Sequence, residues 1–159
     1  MAQSYTQKKS LNIVFFIISL TLCSFSPSAF AAEDHTNTGT ALLRREEFKK
    51  AIAHFNKSIR KNSKDIKAYH NRGAAYCRLQ QFDKGIADFS KIIVMETDKG
   101  LLYQMYLTRG RAYADKGDHA KALADYDEAL KLKPNDPDAL TARASLIAQS
   151  SNETLKENK

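Results

Sequence analysis

One pattern of glycine, aromatic and small residues occurs three times in this chain of 159 residues. In each copy a glycine is followed by Tyr or Leu three residues on, a small residue twelve on and an aromatic sixteen on. The glycines lie 34 and then 37 residues apart. A period of this size is typical of stacked helix pairs, which bind another chain far more often than they catalyse a reaction. The three sets are Gly39, Leu42, Ala51 and Phe55; Gly73, Tyr76, Gly85 and Phe89; and Gly110, Tyr113, Ala122 and Tyr126.

The N-terminal segment, residues 1–31, has the three parts of a secretory signal peptide. Lys8 and Lys9 give a positive start, residues 11–23 are nearly all apolar, and the Ala-Phe-Ala at 29–31 offers small residues for cleavage. Cleavage after this triplet is predicted, and it would export the protein to a bacterial periplasm or along a eukaryotic secretory route.

Two alternatives remain open for this segment. The apolar run is shorter than the roughly 18 residues that span a bilayer comfortably, but an uncleaved signal would anchor the protein to the membrane. Cys23 would be the modified residue of a bacterial lipoprotein signal, although Leu22 stands where such signals require Gly, Ala or Ser. After cleavage no membrane span is expected.

Composition narrows the class of partner. Loss of the two signal lysines would reduce the basic residues from 25 to 23 against 18 acidic residues, a net charge of +5. This mild, mixed charge indicates a soluble surface with a slight preference for acidic partners, and the absence of a basic run or an aromatic platform argues against nucleic acid. Cys77 would be the only mature cysteine, so no internal disulfide is expected. It is read as a small buried helix residue, the alternative being a thiol in the binding groove.

Apolar residues recur three or four apart, with charged residues opposite, as core-facing helices require. Phe48, Ile52 and Phe55 show the spacing. Short loops force neighbouring helices antiparallel, and Pro134 and Pro137 end one helix and start the next. The helices are predicted over 34–45, 48–61, 65–79, 82–96, 100–116 and 119–132, with a capping helix over 137–149 and a polar, frayed or disordered tail over 150–159.

Residues 69–76 (YHNRGAAY) and 106–113 (YLTRGRAY) resemble the tetratricopeptide pattern W-x2-L-G-x2-Y, with Tyr for Trp and Arg for Leu. Residues 122–129 and Pro134 complete the pattern in the third copy, and residues 51–55 carry it in the first. The resemblance implies an all-α fold, a right-handed superhelical stack of antiparallel helix pairs. The implied domain is 32–149, with repeats at about 32–65, 66–99 and 103–136 and the capping helix at its end.

Small residues in the pattern have a packing role. Where the helices of a pair cross, Gly73 with Gly85, or Gly110 with Ala122, would let the two backbones approach, and the aromatics would fill the space beside them. The first copy is degenerate, with polar His35 and Thr38 at usually apolar positions. Between the second and third copies there are three extra residues near 96–100, which predict a longer helix or a wider loop there.

In tetratricopeptide proteins the first helix of each pair lines a concave groove that holds a peptide. Carried over by phase, this implies groove positions that form a moderately basic wall, suited to an acidic segment or a terminal carboxylate. Solvated helix-face charges without a partner are the alternative. Thr36, Thr40, Leu43, Ala74 and Asp115 would lie on the same face. The principal groove positions are Arg44, Lys67, His70, Asn71, Arg78, Gln104, Leu107, Thr108 and Arg111.

Chaperone-binding relatives clamp a terminal carboxylate with two lysines, two asparagines and an arginine at set positions. Here only Asn71 matches, while Thr36, Thr40, Gln104 and Thr108 occupy the other positions. The sequence therefore argues against that subtype.

No catalytic or metal-binding arrangement emerges from the sequence, and no cofactor is expected. The four histidines are scattered and lack metal-ligand spacing. Asp125, Asp127 and Glu128 are read as a solvated acidic face. Asn56 and Asn152 begin glycosylation motifs that would matter on a eukaryotic route.

The predicted function is therefore a non-enzymatic protein-interaction module, an adaptor or assembly factor of an exported complex. The alternatives are a structural module that self-associates through its exposed ends, and an accessory subunit of a separately encoded enzyme.

Overall fold

The computed structural model describes residues 34–157, so the predicted signal peptide lies outside the described part of the chain. These residues form helices and short connections without a strand, which confirms the all-α prediction. The helices are α1 His35–Arg44, α2 Phe48–Lys61, α3 Ile66–Arg78, α4 Phe82–Met95, α5 Lys99–Lys116, α6 His119–Leu132 and α7 Pro137–Glu157.

A turn with the same backbone hydrogen bond joins the two helices of each pair. Glu46, Gln80 and Gly117 occupy equivalent positions in it and have φ of 58°, 58° and 88°. This left-handed conformation lets the next backbone N–H reach back and bond to a carbonyl of the last helical turn, which ends the helix. The bonds run from Glu47 N to Leu42 O at 3.0 Å, from Gln81 N to Tyr76 O at 2.9 Å, and from Asp118 N to Tyr113 O at 2.9 Å.

Most of the later helices begin at an aspartate. The side chains of Asp65, Asp98 and Asp118 accept a hydrogen bond from the backbone N–H three residues on and so cap α3, α5 and α6. Asp136 does the same at the start of α7, bonding to the amides of residues 138 and 139. The four helices that begin at these caps start within one residue of the predicted positions.

At each crossing a glycine of the first helix meets the aromatic sixteen residues later. A Cβ added at Gly39, Gly73 or Gly110 would lie 2.6, 2.7 or 2.7 Å from the ring of Phe55, Phe89 or Tyr126, respectively. These distances are too short for any side chain, so the close approach inferred from the small residues is present in all three pairs.

The core consists of three clusters, one for each helix pair. Each cluster is completed by residues of the helix that follows the pair. Ala68 of α3 completes the cluster of Ala51 and Phe55. Met105 and Ala112 of α5 complete the second cluster, around Phe89, Ile86 and Ile92. Ala139 and Leu146 of α7 complete the third, around Tyr103, Leu107, Ala122, Tyr126 and Ala129. Each pair therefore depends on its neighbour to cover its apolar face.

The three extra residues between the second and third copies of the pattern lengthen α5. This helix has 18 residues, whereas α3 has 13. α5 begins eleven residues before Gly110, whereas α3 begins seven residues before Gly73. The loop before α5 is one residue shorter than the loop before α3. The predicted extra turn is present, and it accounts for the spacing of 37 residues.

The C-terminal prediction needs a correction. We expected α7 to stop at residue 149 and a frayed or disordered tail to follow, but the helix continues to Glu157. No proline or glycine follows Pro137 in the sequence, so nothing interrupts the helical hydrogen bonds. A polar composition alone therefore does not end the helix here.

Candidate functional site

The exposed side chains of α3 form one stripe along the helix. Lys67 and Arg78 are exposed at its two ends, and Asn71 and Ala74 are half-buried between them. In α5 the same register holds exposed Gln104, Arg111 and Asp115 and half-buried Thr108. Two further predicted residues, Arg44 and Leu43, lie at the end of α1, the arginine exposed and the leucine half-buried. We call Arg44, Lys67, Asn71, Ala74, Gln104, Thr108 and Arg111 the first-helix face.

Two predicted groove residues are buried instead, so those predictions are wrong. Leu107 lies in the third core cluster, and Thr36 hydrogen-bonds to Ser58 and Asp65 at 2.7 Å each. Both stand three residues before the glycine, which places them inside the helix crossing. His70, at the same position in α3, is half-buried with its ring 6.1 Å from that of Phe89.

Arg78 lies at an edge of the stack. Its guanidinium is 3.9 Å from the Glu46 carboxylate and stands over the Phe48 ring at 5.8 Å. Lys116, at the end of α5, pairs with Asp83 in the first turn of α4. Cations at the ends of α3 and α5 therefore each contact the preceding helix pair.

Polar contacts hold the first helices α1 and α3 together. Asn71 Nδ2 donates to Thr40 Oγ1 at 3.0 Å, and Thr40 donates to the Thr36 carbonyl at 2.8 Å. The Asp65 carboxylate accepts from Thr36 and Ser58 while it caps α3. Burial acts to raise the Asp65 pKa, but the hydrogen bonds from Thr36, Ser58 and the Ala68 amide hold it below the usual value.

A buried arginine–aspartate pair recurs at two of the crossings, and the sequence analysis missed it. Arg72 Nε and Nη2 donate to both oxygens of Asp88 at 2.8 and 2.6 Å, and Nη1 donates to Asn56 of α2 at 2.6 Å. Arg109 binds Asp125 at 2.8 and 2.7 Å and Ser90 of α4 at 2.8 Å. In both pairs the arginine side chain is 18% exposed and the aspartate 7%.

Each arginine also lies between two tyrosines of its own helix. Arg72 stands 5.4 Å from the Tyr69 ring centre and 5.9 Å from that of Tyr76, while Arg109 lies near Tyr106 and Tyr113 at 5.7 and 5.9 Å. The spacing Tyr-x2-Arg-x3-Tyr in the sequence was the available signal. It was interpreted only as Arg in place of an apolar residue.

Two other sequence interpretations change. Asp125 is buried with Arg109, so it does not share a solvated acidic face with Asp127 and Glu128. Asn56 is half-buried in α2 and bonds Arg72, so it is poorly placed as a glycosylation acceptor.

Cys77 packs at the crossing of α3 and α4. A Cβ added at Gly85 would lie 2.5 Å from its sulfur. Burial, assisted by Asp115 and Asp88, raises the pKa of the Cys77 thiol to about 11. The thiol therefore stays protonated and weakly nucleophilic at neutral pH, as expected of a packed helix residue.

Within residues 34–157 no group of His, Cys, Asp and Glu is arranged to hold a metal ion. Over the same residues none of the helices combines the length and the apolar character that crossing a bilayer requires.

Two segments of the chain match sequence models of known families. Residues 110–150 match a model described as TPR repeat, and residues 54–87 match one described as tetratricopeptide repeat. No curated protein sequence matches the chain.

Solved structures of tetratricopeptide domains have the same fold. The Arabidopsis OM64 domain is 28% identical with a TM-score of 0.63 over 73% of this chain and 93% of that chain. The second domain of human RPAP3, in complex with an HSP70 peptide, is 21% identical with a TM-score of 0.64 over 72% and 93%. The TPR2AB domain of yeast Sti1, in complex with pHSP90, is 22% identical with a TM-score of 0.68 over 79% of this chain and 50% of that chain. The chain thus carries tetratricopeptide repeat sequence in two segments, and it folds as a tetratricopeptide solenoid.

Proposed function

We propose that the protein binds a polypeptide segment across the first-helix face and acts, without catalysis, as an adaptor or assembly factor of an exported complex. The fold supports a protein-interaction role, since tetratricopeptide domains are interaction modules. The observation that carries the choice of surface is the exposed cations on it. Lys67 and Arg111 are exposed, and among residues 34–150 neither makes an ion pair.

An acidic segment is the ligand that fits these cations. Arginine binds carboxylates through two parallel hydrogen bonds, and lysine adds a mobile charge. The peptide in the RPAP3 complex, SGPTIEEVD, is itself acidic. Two neutral polar residues, Gln104 and Thr108, lie beside these cations. Their side chains would donate hydrogen bonds to the backbone of an extended segment.

We do not extend the chaperone-tail specificity of those neighbours to this chain. Thr36 is buried in a hydrogen-bond network, and Thr40 and Asn71 bond to each other. Three positions of the carboxylate clamp are therefore occupied by contacts within the protein. The proposed ligand is an acidic segment that is recognised farther along the face, around Lys67 and Arg111.

A charge-reversal experiment tests the surface. A photoreactive residue at Gln104 should crosslink a partner in the native cells, whereas the same group at Ala124, exposed on α6, should not. The double variant K67E/R111E should lose the crosslink at least tenfold. The matched control K57E/K91E changes the net charge equally at exposed positions of α2 and α4. Equal loss in both double variants, or equal crosslinking from both sites, would exclude the first-helix face.

Export is the second part of the proposal, and it rests on the sequence of residues 1–31. Mass measurement of the protein isolated from its native compartment should give a chain that starts at Ala32. A full-length chain in the membrane fraction would favour the anchored alternative, and a full-length chain in the cytosol would exclude export.

A further inference from the structure

The segment that contains α2 carries only basic charges. Residues 34–157 contain 22 basic and 17 acidic residues, but residues 48–64 contain six basic residues and no acidic residue. Without this segment the described part of the chain has 16 basic and 17 acidic residues and is nearly neutral. Its net positive charge therefore comes from one segment. All six side chains are exposed: Lys49, Lys50, Lys57, Arg60, Lys61 and Lys64.

The helix gathers cations that the sequence separates. At about 100° per residue, the five that belong to α2 fall within an arc of about 120°. Ala53 lies within this arc and is the only other exposed residue of α2. On the opposite side Ala51 and Phe55 are fully buried, and Ile59 packs against them. Because its apolar side is fixed in the first core cluster, α2 presents its basic side to solvent.

Most of these cations lack an acidic neighbour. Lys50 is bound to the Glu47 carboxylate at 2.6 Å. Among residues 34–150 none of the other five makes an ion pair. Their charge is therefore available to a ligand. We call these five residues the α2 face: Lys49, Lys57, Arg60, Lys61 and Lys64.

The equivalent positions of α4 and α6 are not basic in this way. Counted 34 residues on, two lysines and two aspartates occupy them: Lys84, Lys91, Asp83 and Asp98. In α6 the lysines are neutralised, since Lys121 binds Asp118 at 2.6 Å and Lys131 binds Glu128 at 2.5 Å. The excess of cations is thus a property of α2 and not of the repeated pattern.

A surface with many spaced negative charges is the ligand that fits the α2 face. Four of its five cations are lysines, which act as mobile point charges, whereas a single carboxylate is best held by the fork of an arginine. The exposed side of α2 has no aromatic residue, which protein interfaces and single-stranded nucleic acid sites favour. Clusters of about four to eight Lys and Arg on an amphipathic helix are typical of binding to anionic lipid headgroups.

We propose that the α2 face binds the surface of a bilayer that contains anionic lipids and holds the helical domain against it. The large apolar residues of α2 are buried or half-buried in the domain, so binding is electrostatic and does not require insertion. It is therefore sensitive to salt, because the Debye length falls from about 10 Å at 0.1 M to about 3 Å at 1 M. The first-helix face lies on other helices and is not needed for this contact.

The probe is a vesicle of phosphatidylglycerol and phosphatidylcholine in equal parts, added to the protein purified from its native compartment. An environment-sensitive fluorescent residue replaces Ala53, and in a control protein it replaces Ala87, exposed at the equivalent position of α4. The signal at position 53 should change on binding, and the signal at 87 should change much less. Vesicles of phosphatidylcholine alone, or 1 M salt, should abolish the change. Any contact made by residues 1–31 is the same in both proteins.

Charge variants then test which residues make the contact. R60E/K61E should weaken vesicle binding at least tenfold, since two of the five cations become anions. K84E/K91E makes the same change of net charge at exposed positions of α4 and should bind like the wild type. R60K/K61R keeps the charge and should also bind normally. Circular dichroism checks that each variant is folded. K57E/K91E alters only one residue of the α2 face and should weaken binding less than R60E/K61E.

Several results would overturn the proposal. The first is no binding to the anionic vesicles at low salt, and the second is equal weakening by R60E/K61E and K84E/K91E, since net charge alone would then explain it. A loss of binding in R60K/K61R would indicate recognition of guanidinium shape instead of a charged surface. Tighter binding to DNA than to vesicles, at equal concentrations of negative charge, would make the α2 face a nucleic-acid site.

Discussion

In α3–α4 and α5–α6 an arginine beside the glycine binds an aspartate sixteen residues on, whereas in α1–α2 the same two positions hold Thr38 and His54. The glycine–aromatic contact is nevertheless the same in all three pairs. In the first pair His54 lies edge-on to His35, with ring centres 5.6 Å apart. The packing of the glycine against the aromatic ring is therefore sufficient for the two helices of a pair to cross. The arginine–aspartate ion pair is an additional contact, present in α3–α4 and α5–α6 but not in α1–α2.

The core clusters differ in the same direction. The first contains Ala51, Phe55 and Ala68, whereas the second and third each contain six or more buried residues. Because hydrophobic stabilisation follows the apolar area removed from water, α1–α2 should be the first pair to open. The polar network of Thr36, Ser58 and Asp65 adds to the apolar contact of Ala68 in attaching this pair to α3.

The largest expected effect comes from breaking an ion pair that the first helix pair lacks. Asp125→Ala leaves the Arg109 guanidinium largely buried without its carboxylate, which should cost about 3 kcal/mol of unfolding free energy. Asp127→Ala, on the same helix but in an exposed pair with Arg143, should cost less than about 1 kcal/mol. Urea unfolding followed by circular dichroism compares the two. Equal costs would mean that the Arg109–Asp125 pair is no more than a surface contact.

Alanine at the glycines tests whether the three crossings are really alike. The new Cβ would be about as close to the aromatic at Gly39 as at Gly110, so each substitution should destabilise its pair by about 1–3 kcal/mol. Hydrogen exchange of the amides in each pair measures the local effect. Gly117→Ala, where nothing lies within 4 Å but φ is 88°, is the control for backbone strain without overpacking. A neutral Gly39→Ala would show that α1 packs more loosely than α5.

Asp65 attaches the first pair to the second, and its loss should have an intermediate effect. Asp65→Ala removes the α3 cap and leaves Thr36 and Ser58 without their acceptor, which should cost about 1–2 kcal/mol. The folded-state pKa is lowered, so this stabilisation is present above the unfolded pKa near 4 and is lost as the pH falls through the folded value. Unfolding of the wild type and of Asp65→Asn should therefore converge at low pH. A constant difference from pH 7 to pH 2 would contradict the role of the carboxylate.

The smallest effect should come from giving the first pair the ion pair of the others. The double variant T38R/H54D places the two side chains at the register of Arg72 and Asp88. It should gain at most about 1 kcal/mol, because within residues 34–157 no helix precedes α1 to supply the third contact that Asn56 and Ser90 give the other two arginines. Slower hydrogen exchange in α1 and α2, relative to each single variant, is the expected result. Faster exchange in the double variant would show that the pair cannot form beside His35.

The sequence was sufficient to predict the helices because their ends are fixed locally, by aspartate caps and by the left-handed turn residue. The positions of Gly73 and Phe89 in the pattern likewise predicted the crossing. The burial of Leu107 and Thr36 was missed because helical phase gives an angle around the axis but not the closeness of the neighbouring helix. Arg72 and Asp88 were missed as a pair because their meeting depends on how two helices cross.

The exposure of Leu140 and Ile147 on α7 escaped prediction for a similar reason. Leu140 and Ile147 have the spacing of a core-facing helix, and only the structure shows that their neighbours leave them exposed. The continuation of α7 to Glu157 was missed because composition was given more weight than the absence of a helix breaker.

Arg109 reaches back nineteen residues to Ser90, whereas Arg72 reaches back sixteen to Asn56, but Ser90 and Asn56 are equivalent positions of their helices. The three extra residues lie between α4 and the middle of α5. They leave the hydrogen bond from the arginine to the preceding helix pair unchanged. The start of α5, around residues 97–100, is thus a place where chain length can vary without a change in how neighbouring units are joined. A fluorescent tag or an affinity sequence inserted there should therefore leave the fold of the protein intact.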